Sequence, residues 1–145
     1  MDKTNQLSLS HQLCFPIYAA SRMITRSYQP LLYELDLTYP QYLVMLVLWE
    51  NNNVAIGQIG EKLYLNTNTL TPLIKKLVDK GLVSKTRSNS DERTVHVTLT
   101  PQGEKLKNKA SDIPEALFNA FQLPVEELVQ MRELMWKFLK GFELK

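Results

Sequence analysis

The sequence predicts a mainly α protein with one small β-hairpin. A helix-turn-helix runs straight into a two-stranded projection, and longer helices stand at both ends of the chain. Three observations carry this. Leu13, Ile17, Ala20, Ile24, Tyr28 and Leu31 recur every three or four positions, the period of an amphipathic helix. A short helix at about 55–63 and a capped one at about 67–80 have helix-turn-helix spacing. Directly after them, "LVSKTR" and "TVHVTLT" alternate apolar and polar residues at period two around the polar stretch "SNSDE".

The elements follow in order. The first helix spans roughly residues 8–34, with Pro16 inside it removing one backbone donor and bending or delaying the helix there. "DLTYP" breaks the pattern, and Pro40 is suited to open a second helix at its first position. That helix, "PQYLVMLVLWEN", is apolar almost all round, which predicts central burial. "NNN" at 51–53 is a loop. Asn66 or Thr67 caps the helix whose stripe is Leu70, Leu73, Ile74, Leu77 and Val78, and Gly81 ends it. After the hairpin, "PQGEKLKNKA" restarts a helix at Pro101 that runs to about 121 with a bend at Pro114. Pro124 begins the last helix, ending near Phe142.

At 145 residues the chain reads as one domain with room for a real core. Its longest apolar run, Leu43 to Trp49, is far short of the about 20 residues that cross a bilayer. The start, "MDKTNQLSLSHQ", lacks the basic-then-apolar order of a secretory signal. The single cysteine, Cys14, makes no intramolecular disulfide. Together these point to the cytosol and to no membrane partner. The net charge of +2 is unevenly spread: residues 66–100 carry six basic and three acidic groups, and the rest of the chain has no positive excess. A nucleic-acid surface is therefore to be sought in that central segment.

The exposed start of the capped helix offers Thr67, Asn68, Thr69 and Thr71, with Lys75 and Lys76 further on. Hydroxyl and amide groups at a helix N-terminus are what phosphates and base edges can hydrogen-bond. The hairpin adds Lys85, Arg87 and, at its tip, Arg93; an arginine on such a projection can enter a minor groove. Against this, Thr and Asn are common at any helix start and a helical Lys is ordinarily just solvated. The hairpin immediately downstream favours the DNA reading.

Cys14 also has two readings. Free cysteine is among the most buried residue types and usually inert. At the opening of a helix, however, backbone donors and partial positive charge stabilise a thiolate, the attacking species. Tyrosine hydroxyls such as those of Tyr28 and Tyr39 can also donate to the anion. Tyrosines have a plain alternative, since amphipathic aromatics are frequent at dimer interfaces. His11 and His96 are too isolated for a metal site, and no cofactor is implied. Met23, Met45, Met131, Met135, Trp49 and Trp136 read as packing residues.

The segment "TLTPLIKKLVDKGLVSKTRSNSDERTVHVTLTPQGEKL" resembles the winged helix-turn-helix of the MarR family of bacterial repressors. The resemblance rests on the "TLTPLIKKL" recognition helix, the "DKGLV" exit, the wing "DERTVHVTLT" and the "TPQG" that opens the next helix. It implies that Arg93 enters the minor groove with Asp91 orienting its guanidinium. It also implies an obligate homodimer built by terminal helices, here about 8–34 and 101–142, around a DNA-binding part at about 54–100. "QLCFPIYAASRMITRSYQPLLYELDLTYPQYLVMLVLWE" is similar to the organic-hydroperoxide-resistance (OhrR) branch. By that likeness Cys14 senses an organic hydroperoxide, Tyr28 and Tyr39 of the partner subunit hydrogen-bond it when reduced, and Tyr18 is a further pocket tyrosine. Pro16 departs from the pattern, where a small residue is usual. Without a second cysteine, the implied mode is a sulfenic acid that condenses with a small cellular thiol or oxidises further, releasing double-stranded operator DNA. Two other classes stay open: a repressor released by a lipophilic or phenolic ligand, and, as the weaker case, a thiol peroxidase. The chain offers no His–carboxylate pair near Cys14 for the latter.

Overall fold

Two 3-10 turns, Asn5–Leu7 and Leu9–His11, lead into helix α1, Cys14–Tyr33, in the computed structural model, which describes residues 5–88, 90 and 93–143. The periodic stretch from residue 8 is therefore not one helix. Pro16 falls in the first turn of α1, where amides have no intrahelical acceptor, so it removes no helix bond. The proline inside α1 is Pro30, which leaves the Arg26 carbonyl without its helical donor. Helix α2, Tyr39–Glu50, is capped by Thr38, whose side chain accepts from Gln41 N while Gln41 Oε1 accepts from Thr38 N at 3.1 Å. Pro40 sits in its opening turn.

As the apolar sequence of α2 predicts, it is the central helix. Tyr42, Val44, Met45, Val47 and Leu48 are buried, and α2 packs against α1 and, as they are reached along the chain, α3 (Ile56–Leu63), α4 (Thr67–Asp79), β3 (Val95–Leu99) and α5 (Pro101–Ala110). Helices α3 and α4 meet across the turn at Tyr64–Asn66. A Cβ on Gly60 would stand 2.7 Å from the Leu65 carbonyl oxygen, so the tightness of that turn requires glycine. Asn66 caps α4, accepting from Thr69 N at 2.9 Å. Leu70, Ile74 and Leu77 are its fully buried stripe, with Leu73 and Val78 at the margin.

The expected hairpin is present: β2, Val83–Arg87, pairs antiparallel with β3 from Val83↔Leu99 to Arg87↔Val95. The sequence shows two strands; among the described residues the structure has three. Val54–Ala55 forms β1, which pairs with the other edge of β3 in the order β1-β3-β2. Two residues are too short to display an alternation, which is why the strand is invisible in the sequence.

The chain forms two compact units, residues 1–111 and 112–145. The helix expected to run from Pro101 to about 121 is instead two: α5 ends at Ala110, and α6, Ile113–Ala120, begins with Pro114 in its first turn. A continuous helix would have left the Ala110 carbonyl without a donor at Pro114. In α7, Val125–Glu143, Met131, Leu134, Phe138 and Phe142 follow one another at helical spacing and are all exposed.

Candidate functional site

Two groups of residues stand apart: one on α1 and α2, the other on α4 and the hairpin. Cys14 is the first residue of α1, and it is exposed. Its N-cap, Leu13, supplies no side-chain acceptor, so first-turn amides remain for solvent or for an anion at this end. Tyr18 lies one turn on and is exposed, with the Arg22 guanidinium over its ring at 5.5 Å from the centroid. Cys14, Tyr18 and Arg22 thus follow one another on one face of α1.

Tyr28 and Tyr39 are brought together. Their ring centroids are 4.6 Å apart, and both side chains are half-buried. Burial first, then the neighbouring Tyr39 and Tyr42, push the Tyr28 hydroxyl up to about 12. Burial also raises Tyr39. Both phenols therefore keep their protons at neutral pH and are donors to any anion that meets them. They do not meet Cys14 of the same chain: fourteen residues of helix separate Cys14 from Tyr28, about 21 Å along the axis. Tyr42 joins this pair, although the expectations from sequence do not single it out. It is buried, 5.7 Å from Tyr28 and 6.5 Å from Tyr39 between ring centroids, and its hydroxyl too is raised by burial. The spacing "YPQY" held the signal, since residues three apart on a helix share a face.

On the other surface, Thr67, Asn68, Thr69, Thr71, Lys75 and Lys76 are all exposed on α4, on the side away from Leu70, Ile74 and Leu77. The Thr71 hydroxyl donates to the Thr67 carbonyl at 2.9 Å and keeps its lone pairs for a donor from outside. Lys85 and Arg87 are exposed on β2, and Arg93 is exposed at the tip. Ser88 N donates to Thr94 O at 2.8 Å, closing the hairpin below that tip. Asp91, the expected partner of Arg93, lies outside the described residues. Among the described residues no group of three His, Cys, Asp or Glu side chains is placed to hold a metal, and no helix is long and apolar enough to cross a membrane.

Comparison with known proteins agrees with the fold. The family described as transcriptional regulator SarA/Rot matches residues 26–110. The organic hydroperoxide resistance transcriptional regulator of Bacillus subtilis (strain 168) is 41% identical over 99% of this chain and 98% of its own length. The HTH-type transcriptional regulator SarZ of Staphylococcus saprophyticus is 38% identical over 91% of this chain and 90% of its own. Among solved structures, reduced AbfR bound to DNA superposes with a TM-score of 0.75 at 38% identity, covering 97% of this chain and 98% of the other; AbfR is a protein of Staphylococcus epidermidis. Overoxidised AbfR bound to DNA gives 0.74 at 39% identity over the same shares, and the disulfide-formed state gives 0.65 at 36% identity over 99% and 97%. The winged helix-turn-helix fold is what this chain shares with these relatives. The chain belongs to the SarA/Rot family of transcriptional regulators and, within the MarR winged-helix proteins, to the organic-hydroperoxide-resistance branch.

Proposed function

We propose that the protein is a redox-responsive transcriptional repressor that binds pseudo-palindromic operator DNA as a homodimer and lets go when an organic hydroperoxide oxidises Cys14. The observation that carries this is the placement of an exposed cysteine at the head of α1, with a half-buried, protonated tyrosine pair beyond it: Tyr28 near the far end of α1 and Tyr39 at the start of α2. An antiparallel partner brings one subunit's cysteine to the other's tyrosines, which a single chain cannot do. Exposed apolar side chains at both ends of the chain support the dimer: Leu13 and Met23 at one, Leu134 and Phe142 at the other.

The chemistry is short. The Cys14 thiolate attacks the outer oxygen of the hydroperoxide, the O–O bond breaks, and the alkoxide leaves and takes a proton as the alcohol. Cys14 is then a sulfenic acid. A small thiol condenses with it, forming the mixed disulfide and releasing water. Phenol donors stabilise the attacking anion, and the added bulk then has to displace them. AbfR is known both disulfide-formed and, overoxidised, on DNA. For this chain the bulky disulfide is thus the stronger disruptor, while further oxidation to the sulfinic acid adds only oxygen. Thr67, Asn68, Thr69 and Thr71 face the major groove, Lys75, Lys76 and Arg87 face phosphates, and Arg93, oriented by Asp91, reaches the minor groove. The cellular setting is the cytoplasm, and turnover of peroxide as an enzyme is not part of this role.

A mobility shift on the DNA upstream of the protein's own gene, with and without cumene hydroperoxide and a small thiol, followed by intact mass, tests the proposal. Loss of the complex together with a mass gain at Cys14 supports it. Release with no mass change would transfer the role to a bound lipophilic ligand, and rapid peroxide consumption with a common reductant would make the protein a peroxidase.

A further inference from the structure

We infer that Tyr42 and Trp49 are positioning residues that carry the state of the Tyr28–Tyr39 pair to the joint between the recognition helix, the wing and α5. This rests on the redox reading above and adds the physical connection that reading lacks. Tyr42 is 2% exposed and touches three rings at once: Tyr28 at 5.7 Å, Tyr39 at 6.5 Å and Trp49 at 6.2 Å between centroids, the last edge-on at 68°. Tyr42 and Trp49 are two helical turns apart and so share one face of α2. The Trp49 indole N–H donates to the Gly103 carbonyl at 3.0 Å.

Gly103 occupies a crowded place. A Cβ there would collide with the Leu82 carbonyl oxygen, so glycine lets α5 close onto the chain leaving α4. The Gly103 N–H donates to Thr100 Oγ1 at 3.1 Å, and that hydroxyl donates to the Gly81 carbonyl at 2.6 Å. Thr100 N donates to Leu82 O at 3.0 Å. Gly81 and Leu82 follow α4 after its C-cap Lys80, Thr100 directly follows β3, and Gly103 is in the first turn of α5. One indole hydrogen bond therefore ends where the recognition helix exits and the wing returns.

Packed interiors switch between arrangements rather than stretch. If an adduct at Cys14 displaces Tyr28 and Tyr39, Tyr42 loses two of its three ring neighbours and has to settle elsewhere. Trp49, held edge-on to it, moves with it, and its N–H leaves or drags the Gly103 carbonyl. The bonded and unbonded states of that indole are the two-state element such coupling requires.

Trp49→Phe keeps an aromatic ring and removes only the donor. Wild type and variant are to be compared for operator affinity, reduced and after cumene hydroperoxide with free cysteine, with intact mass taken on each. The same adduct should form in both. The reduced affinity should stay within about two-fold, while the ratio of reduced to oxidised affinity drops by about ten-fold or more. An unchanged ratio with the adduct present overturns the relay and leaves the redox reading standing. A wild type that carries the adduct and still holds DNA overturns both. Independently of any variant, amide hydrogen exchange of wild type should speed up at residues 81–82 and 99–104 when Cys14 carries the disulfide. Unaltered exchange there, with release intact, equally rejects the relay.

Discussion

Cys14→Ser removes the nucleophile and changes almost nothing else, because the side chain is exposed. The variant is expected to bind operator DNA as the reduced protein does and to ignore organic hydroperoxide, read as an undiminished mobility-shifted band at peroxide levels that empty the wild-type complex. Normal release by that variant would move sensing away from this atom. Tyr28 gives a second residue-level test, with its sign fixed by where its proton sits. Its hydroxyl stays protonated in the fold up to about 12, whereas the unfolded chain ionises from about the ordinary 10.0. Between those values the unfolded state holds fewer protons, so stability is fully present below the lower value and falls as pH rises toward the upper one. Tyr28→Phe should flatten that alkaline loss and delete the latest step in the phenolate absorbance titration; an unchanged last step would assign it to another tyrosine. Cys14 was legible in the sequence because it is the only thiol, and Tyr28 and Tyr39 because of the OhrR-like segments around them. Tyr42 was not legible, since a buried tyrosine in an all-apolar helix looks like filler until its ring neighbours are known.

The elements divide by how much local information each carries. Helix α4 was readable because cap, stripe and stop lie within it or at its ends: Asn66, then Leu70, Ile74 and Leu77, then Gly81 at φ +74°. Strand β1 was not, because its two residues are strand only through pairing with Val97 and His96, 42 or so positions downstream. The split between α5 and α6 turned on where the chain chose to place Pro114, a choice between a bend and a break that periodicity does not make. Two tests belong at this scale. Asn66→Ala removes the acceptor for Thr69 N and should lower thermal or urea stability by about 1 kcal/mol, with an unaltered m-value. No loss would mean that solvent serves that amide as well. Arg93→Ala takes the charge from the hairpin tip while β2 and β3 keep their pairing. Operator affinity should fall strongly with dimerisation unchanged, and the slope of log affinity against log salt should shrink by about 0.9 if the contact counts as one phosphate equivalent. An unaltered affinity would remove the wing from the DNA surface.

At the scale of the whole molecule, the proposed function requires two copies, because Cys14 opens α1 while Tyr28 lies near its far end beside Tyr39 at the start of α2, so one chain cannot bring them together. In the proposed dimer the two-fold relation that closes each sensor also fixes the distance between two recognition helices, so sensing and reading share one geometry. Two such helices on one side of a duplex call for half-sites centred about 34 Å apart, one turn of B-form DNA. Inserting about 5 base pairs between the half-sites turns one of them to the opposite side of the duplex. The dimer can then seat only one recognition helix, and affinity should drop toward the non-specific level, while inserting about 10 base pairs restores the facing but not the distance. Both insertions are measured against the parent operator at one salt concentration, since electrostatic attraction alone would otherwise mask the loss. A duplex with the half-turn insertion that binds as well as the parent would show that each wing and helix acts alone; a twist of the dimer caused by oxidation would then have nothing to break.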